Sequence, residues 1–279
     1  MKKNNAHAEG PDGLVHTARL PLSGATLNHL ATLIRGHCKK IGSRWRALPA
    51  GKIAGIVPAV LRCDRRPGDP AGGNGVHRTT VARWVREVVG LLAARAPRLD
   101  RALKRITRPG GGVVLLDGSL IRTRHRTGAE NRKNCSGKHR CHGLLVIALT
   151  DDNGRLLWVS AARPGRTSGI TACRHDRLTA HLRAAGLGAI ADLGFVGLDD
   201  SGPDTDPAVI PGCEAARSQP LTRGRKLSHK ALAAVRAPVE HGFAHLKNRR
   251  VLGKVRTDPK WATALVRALL VLTNHEVAR

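Results

Sequence analysis

Tyrosine is absent from this chain, and Phe and Trp together supply only 2% of its residues. That leaves few platforms for stacking unpaired bases and counts against a single-stranded or structured RNA partner. Six cysteines, Cys38, Cys63, Cys135, Cys141, Cys173 and Cys213, are widely dispersed and contain no CxxC pair, which argues against a disulfide framework and a zinc module. The tightest group, Cys135, His139, Cys141 and His142 in NCSGKHRCHG, places two potential ligands side by side and reads as a basic turn. No apolar run approaches the roughly 18 residues of a membrane span, no apolar stretch follows the basic MKKNNAHAEG start, and no internal repeat is visible. The expectation is a soluble, cytoplasmic, nucleoid-associated protein with reduced thiols.

Acids are scarce as well, 20 Asp and Glu against 48 Lys and Arg, giving a formal net charge of +28. This excess is far more than solubility requires and points to a polyanion, with double-stranded DNA the leading candidate. The basic residues are spread along the chain, so they build a surface instead of a detachable arm. With 41% hydrophobic residues, the 279-residue chain can also fill a substantial core.

Three textures divide the sequence. Residues 1–20 read as a flexible lead-in, and residues 21–108 as a helical DNA-binding region. Within the latter, ATLNHLATLIRGHCKK and PAGKIAGIVPAVLR carry apolar residues at helical spacing, RRPGDPAGGNG interrupts the pattern, and GVHRTTVARWVREVVGLLAAR restores it. Thr79 or Thr80 can cap this last helix, and Arg78, Arg83 and Arg86 project from its start, as a helix-turn-helix recognition helix would require. The Pro- and Gly-rich segment should break the helix before it. Residues 109–279 change to short Val- and Leu-rich runs: VVLLDGSLI, GLLVIALT and RLLWVSAA read as strands, the last two joined by the turn DDNG. TACRHDRLTAHLRAAG reads as a helix, AIADLGF as another strand, and helices are expected over about 228–250 and 258–276. The fold class is therefore α/β, a mixed sheet flanked by helices and preceded by a small helical domain.

Against the scarcity of acids, Asp117, Asp192 and Glu240 stand out because each sits in or beside an apolar segment. A lone carboxylate there costs several kcal/mol unless it is protonated, paired or bound to a cation. Asp117 and Asp192 fall near the ends of apolar strands, and Glu240 falls on a helical stretch. If they converge, they form an oxygen-rich site for a divalent cation, the usual construction of a two-metal nuclease centre. Taken singly, each has an ordinary alternative: a turn cap, a strand-end hydrogen bond, or an ion pair with Arg236 or Lys247. Arg236, Glu240 and Lys247 recur on one stripe of a helix turning about 100° per residue, although Pro238 places a kink between the first two. Asp176 in RHDRL competes with Asp192, but its Arg-rich helical setting favours an ion pair.

In order along the chain, LLDGSLI, SGKHRCHG, PGRTSGITA, ADLGFVG, VEHGFAHLKNRRVLGKVRTDP and ALLVLTNHEV resemble the motifs of bacterial insertion-sequence transposases of the DDE type, in particular insertion sequence family five and the related Harbinger-like endonucleases. The resemblance covers most of residues 76–279. Arg236, Glu240 and Lys247 match the last three positions of a Tyr-Arg-Glu-Lys signature, with Ala233 at the tyrosine position. Ser168 and Gly169 stand where relatives commonly carry a His-Asp pair. The resemblance implies a ribonuclease-H-like catalytic domain, two Mg²⁺ ions (replaceable by Mn²⁺) on Asp117, Asp192 and Glu240, and recognition of terminal inverted repeats. It also implies a homo-oligomer assembled on DNA. Arg78, Thr79, Thr80, Arg83, Lys138, His139, Arg140, Arg236 and Lys247 would contact the DNA. The competing expectation is a catalytically inactive or domesticated remnant that still binds DNA.

Overall fold

At the centre of the computed structural model runs β1 (Val113–Arg122), whose Val114, Leu115 and Leu116 are buried on alternating faces. The structure describes residues 22–43, 46–107, 112–123, 129–199, 208–211, 242–244, 246, 249–255 and 258–277. On one side β1 pairs antiparallel with β3 (Cys141–Thr150), from Leu115 opposite Thr150 to Arg122 opposite Gly143. On its other side it pairs parallel with β6 (Gly188–Ala191), but only from Val113 opposite Gly188 to Leu116 opposite Ala191. β7 (Val209–Pro211) extends the parallel side. The short β2 (Cys135–Ser136), β4 (Leu156–Val159) and β5 (Arg163–Pro164) all pair antiparallel with β3. The result is a seven-stranded mixed sheet among the described residues.

Alternation along the strands sends side chains into two different cores. Val114 and Leu116, with Ile147, Leu149, Ala189 and Ala191, pack against α5 (Leu99–Thr107), α6 (Gly169–His175) and α7 (Leu178–Ala184). Leu115 and Ile121, with Leu144, Val146 and Ala148, face α1 (Gly24–Lys40), α2 (Ala50–Cys63), α4 (Arg78–Ala93) and the C-terminal α8 (Pro259–Val277). Truncating a side chain as buried as Leu115 or Leu116 to Ala costs about 2–5 kcal/mol. One hydrophobic cluster therefore holds residues from both sides of position 108.

The helices follow their sequence signals with three differences. Ser23 caps α1 by accepting from the Thr26 amide, and Val81, Trp84, Val85, Val88, Val89 and Leu92 line the buried stripe of α4. The cap of α4, however, is His77, whose Nδ1 accepts from the Thr79 amide, so the two threonines lie inside the first turn. The Pro- and Gly-rich segment retains one short helix, α3 (Gly68–Gly72), before the turn into α4. The single helix expected after PGRTSG is two, broken where Arg177 adopts a left-handed φ of 51° between α6 and α7. The β3–β4 hairpin is as expected: Asp151 accepts from the Arg155 amide and is a turn residue. The helix expected over about 228–250 lies largely outside the described residues; of those described there, Gly242, Phe243, Ala244 and Leu246 are helical, and a 3-10 segment begins at Arg250 (Arg250–Lys254). The Cys135–His142 segment forms a tight β2–β3 hairpin, and no three His, Cys, Asp or Glu side chains cluster among the described residues. No helix among them is long and apolar enough to cross a membrane.

Candidate active site

Asp117 lies in the middle of the ten-residue β1, not near its end, because the strand continues in register with β3 through Arg122. It is nonetheless at a boundary. The parallel pairing with β6 stops at Leu116 and Ala191, and the next residue in each strand is an aspartate, Asp117 and Asp192. Leu116 and Ala191 both enter the α5–α7 core, so alternation along β1 puts Asp117 on the face carrying Leu115 and Ile121, while Asp192 follows the end of β6 as the cap of the next turn. Beyond this point β6 departs into a 3-10 turn (Leu193–Phe195), and the β6-facing edge of β1 opens. A crevice at the carboxyl ends of parallel strands is where open α/β sheets place their ligands.

A cleft of about 640 Å³ occupies that opening. Asp117 and Asp192 line it together with Arg132, Lys138, His139, Arg166 and Ser168. Asp192 caps the 3-10 turn: its Oδ1 accepts from the Leu193 amide at 2.8 Å, while Oδ2 lies 3.9 Å from the Lys138 ammonium. Asp117 Oδ1 accepts from the Gly118 amide at 2.7 Å. Local hydrogen bonds that would explain each acid by itself are thus present, and they also fix the two carboxylates at one cleft. Lys138 is 73% exposed, so its pairing with Asp192 is solvent-screened and leaves the ammonium available to a polyanion.

Phe195 forms the wall behind the acids. It is buried, and a Cβ placed on Gly169 would meet its ring at 2.9 Å, while one on Gly118 would lie 3.7 Å away. Gly169 starts α6, whose cap is Ser168, accepting from the Thr171 amide at 3.0 Å. The absence of an acidic side chain at position 169 therefore has a steric counterpart: the ring of Phe195 fills the space such a side chain would need.

Of the other expected DNA contacts, Lys138 and His139 line the cleft, whereas Arg140 does not and turns the β2–β3 hairpin with φ of 48°. Arg78, Thr79 and Arg83 are exposed at the start of α4, and Thr80 is half-buried. Asp176 is held by Arg163 at 2.7 Å, the ion pair its setting suggested. Glu240, Arg236 and Lys247 lie outside the described residues. Just after Glu240 in sequence, Phe243 and Leu246 are buried in the core on the Asp117 face, beside Ile121 and Val146. Gly242 packs so closely on the β3–β4 turn that a Cβ there would sit 2.5 Å from the Gly154 carbonyl oxygen. Sequence reasoning missed Arg132 and Arg166 as cleft residues; Arg166 sits in the PGRTSG motif, while Arg132 has no signal beyond its charge.

Comparison with known proteins gives one informative match. A family model described as DDE superfamily endonuclease matches residues 116–274. No curated protein matches the chain. Among solved structures, the Mos1 transposase paired-end complex with left transposon end is similar over 88% of this chain and 96% of that chain, at 10% identity and a TM-score of 0.20, too slight a likeness to bear on fold or function. The family match starts one residue before Asp117, takes in Asp192, the cleft and most of α8, and spans more than half of the sequence. The chain belongs to the DDE superfamily endonucleases.

Proposed function

We propose that the chain is a transposase that binds the terminal inverted repeats of an insertion sequence as duplex DNA, cleaves at the element end, and joins the freed 3′-hydroxyl to target DNA. One observation carries this reading: the register pair Leu116–Ala191 is followed on both strands by an aspartate, and both aspartates border one basic cleft. The sheet order, with β3 antiparallel to β1 and with β6 and β7 parallel beyond it, supports a ribonuclease-H-like catalytic domain.

The donor set fits a hard divalent cation. Asp117 and Asp192 offer carboxylate oxygens at a solvent-open cleft, the ligand type that Mg²⁺ prefers, and Mn²⁺ would be accepted for the same reason. Glu240 would complete the set. Its proximity is supported by Phe243 and Leu246, which pack on the sheet face that Asp117 shares. Two ions held there would lower the pKa of an attacking water and stabilise the entering and leaving oxygens of the phosphodiester. The protein's own cations would position the DNA: Lys138, His139, Arg132 and Arg166 line the cleft, and Arg236, Lys247 and Arg140 would add phosphate contacts. Cleavage and strand transfer are both phosphoryl transfers at one site, with no covalent protein intermediate. In the α3–turn–α4 unit, Arg78, Thr79, Thr80 and Arg83 would meet duplex DNA in the manner of a recognition helix, and the protein would act as a homo-oligomer on DNA in the nucleoid.

The test is cleavage of a labelled terminal-repeat duplex in the presence of Mg²⁺. Asp117→Asn should abolish cutting while leaving affinity for the duplex largely intact. Unchanged cleavage by that variant would remove the reading. A wild-type protein that shifts the duplex but never cuts it would instead be a DNA-binding remnant.

A further inference from the structure

A second basic recess lies away from the acidic cleft and shares no lining residue with it. Its volume is about 610 Å³, and Arg62, Cys63, Arg65 and Arg250 line it. Arg62 belongs to the last turn of α2, Arg65 follows the left-handed Asp64 that ends this helix, and Arg250 opens the 3-10 segment Arg250–Lys254. Arg62 and Asp64 each have partners within the protein. Arg65 and Arg250 are exposed, and neither forms an ion pair with a described residue, so their charge faces the recess.

The backbone that carries these two guanidinium groups is held firmly. Arg249, immediately before Arg250, is 2% exposed and donates to Glu276 of α8 at 2.5 Å. Two adjacent arginines thus have opposite fates: the first anchors the segment inward, and the second is presented outward. Leu252 and Val255 are buried, and Val255 bridges to Thr123 just past β1. On the other wall, α2 is pinned by buried Val57, Val60 and Leu61. Cationic groups on rigid elements lose little freedom when an anion binds.

We propose that the Arg65–Arg250 recess is a second phosphate-binding site, gripping the backbone of duplex DNA independently of base sequence. The inference rests on the proposed DNA-binding function and adds a contact surface to it. A net charge of +28 makes a polyanion the complementary occupant, and α2 packs against α4, so the helix that carries Arg65 also supports the one that presents Arg78 and Arg83. A guanidinium fork suits a phosphate bidentately.

The test is equilibrium binding of a short fluorescent duplex to the full chain in EDTA, across about 50 to 200 mM salt. Every phosphate that the protein no longer neutralises lowers the salt slope by about 0.9, so the Arg65→Ala/Arg250→Ala double variant should show a slope smaller by about one to two units. Its affinity at low salt should fall about tenfold or more, equally for unrelated duplex sequences. Arg250→Lys, which keeps the charge, should recover most of the slope. Melting of the double variant within error of the wild type shows that the fold is kept. A slope unchanged in the double variant, but reduced by Arg78→Ala/Arg83→Ala, overturns the recess while leaving DNA binding intact. Protection by inorganic pyrophosphate that the double variant loses, with the DNA slope unchanged, assigns the recess to a free anion and also overturns the proposal. A wild type that binds with the expected slope and never cuts sinks the transposase activity without touching the recess. No duplex binding at all sinks both.

Discussion

Leu116 and Ala191 are partners in the parallel β1–β6 ladder, and the residue after each is an aspartate that lines the same cleft. Parallel pairing advances both chains in one direction, so the last register pair delivers Asp117 and Asp192 to one cleft, although 74 residues separate them in sequence. The pairing ends there because Asp192 turns the chain by capping the 3-10 segment Leu193–Phe195. The cleft exists because β1 continues where β6 does not.

The segment that follows Glu240 is held to this face by a close approach that only glycine permits. At Gly242 a Cβ would meet the Gly154 carbonyl oxygen at 2.5 Å and the Thr150 methyl at 3.4 Å. Gly242→Val should lift the segment from the β3–β4 turn, lowering Mg²⁺-dependent cleavage by about tenfold to a hundredfold, as small misplacements of catalytic groups do. Duplex affinity should change much less. Equal cleavage rates for Gly242→Val and wild type would show that this packing does not position the third acid.

Arg249 and Glu276 form a pair in which Arg249 is almost fully buried, and Arg249 Nη1 and Glu276 Oε1 find no hydrogen-bond partner among the described residues. Removing one member strands the other charge, which costs about 3–5 kcal/mol, whereas replacing both by apolar groups is far milder. Arg249→Met should therefore lower the urea midpoint strongly, and Arg249→Met/Glu276→Leu should recover most of the loss. A double variant as unstable as the single one would show that packing, not charge, sets the cost.

Much of this arrangement can be read from sequence, and the reasons differ by element. VVLLDGSL announces a strand covered on both faces, because consecutive apolar residues leave no solvent face, and α4 announces itself through Val81, Trp84, Val85, Val88 and Leu92. What stays hidden is set by partners distant in sequence. The position of Asp117 within β1 depends on how far β3 pairs alongside it, which VVLLDGSLI alone does not encode. His77 displaced the two threonines as the cap of α4 because a histidine Nδ1 also accepts, outside the usual set of capping residues. The break at Arg177 needs a left-handed non-glycine residue, for which RHDRL carries no turn signal. Arg132 enters the cleft on the 3-10 segment Ala129–Asn134, which precedes β2 and packs against β3, a tertiary event.

Glu87 on α4 accepts two hydrogen bonds from Arg46, at 2.8 and 2.7 Å, and lies 3.3 Å from His37 of α1. The hydrogen-bonded Arg46 guanidinium holds its carboxyl below the usual value near 4.5, against the opposing effect of burial. A depressed carboxylate stabilises the fold above its unfolded value, and that stability is lost as pH falls through the folded one. Glu87→Gln should cost about 1–3 kcal/mol at neutral pH, since the pair is about four-fifths buried. The difference between variant and wild type should shrink below about pH 4.5. A difference that stays constant from neutral pH down to acid would exclude the charge as its source.

His29 of α1 and His275 of α8 stack with ring centroids 4.4 Å apart, and His275 Nδ1 lies 3.4 Å from the Thr26 hydroxyl. Burial, then electrostatic repulsion from His275 and Arg95, lowers the pKa of His29 from its ordinary 6.5. For a histidine with a depressed folded value the sign is opposite to that of a paired one. The unfolded chain takes up its proton first, so stability is full above about pH 6.5 and declines as pH falls toward the folded value. His29→Gln, which keeps a polar side chain of similar reach but cannot be charged, should leave neutral stability nearly unchanged and flatten the decline in melting temperature between neutrality and mild acid. Because Glu87 loses its contribution only at lower pH, the two acid effects separate along the pH axis, and a wild-type profile flat from neutrality to the onset of the Glu87 transition would refute the His29 assignment.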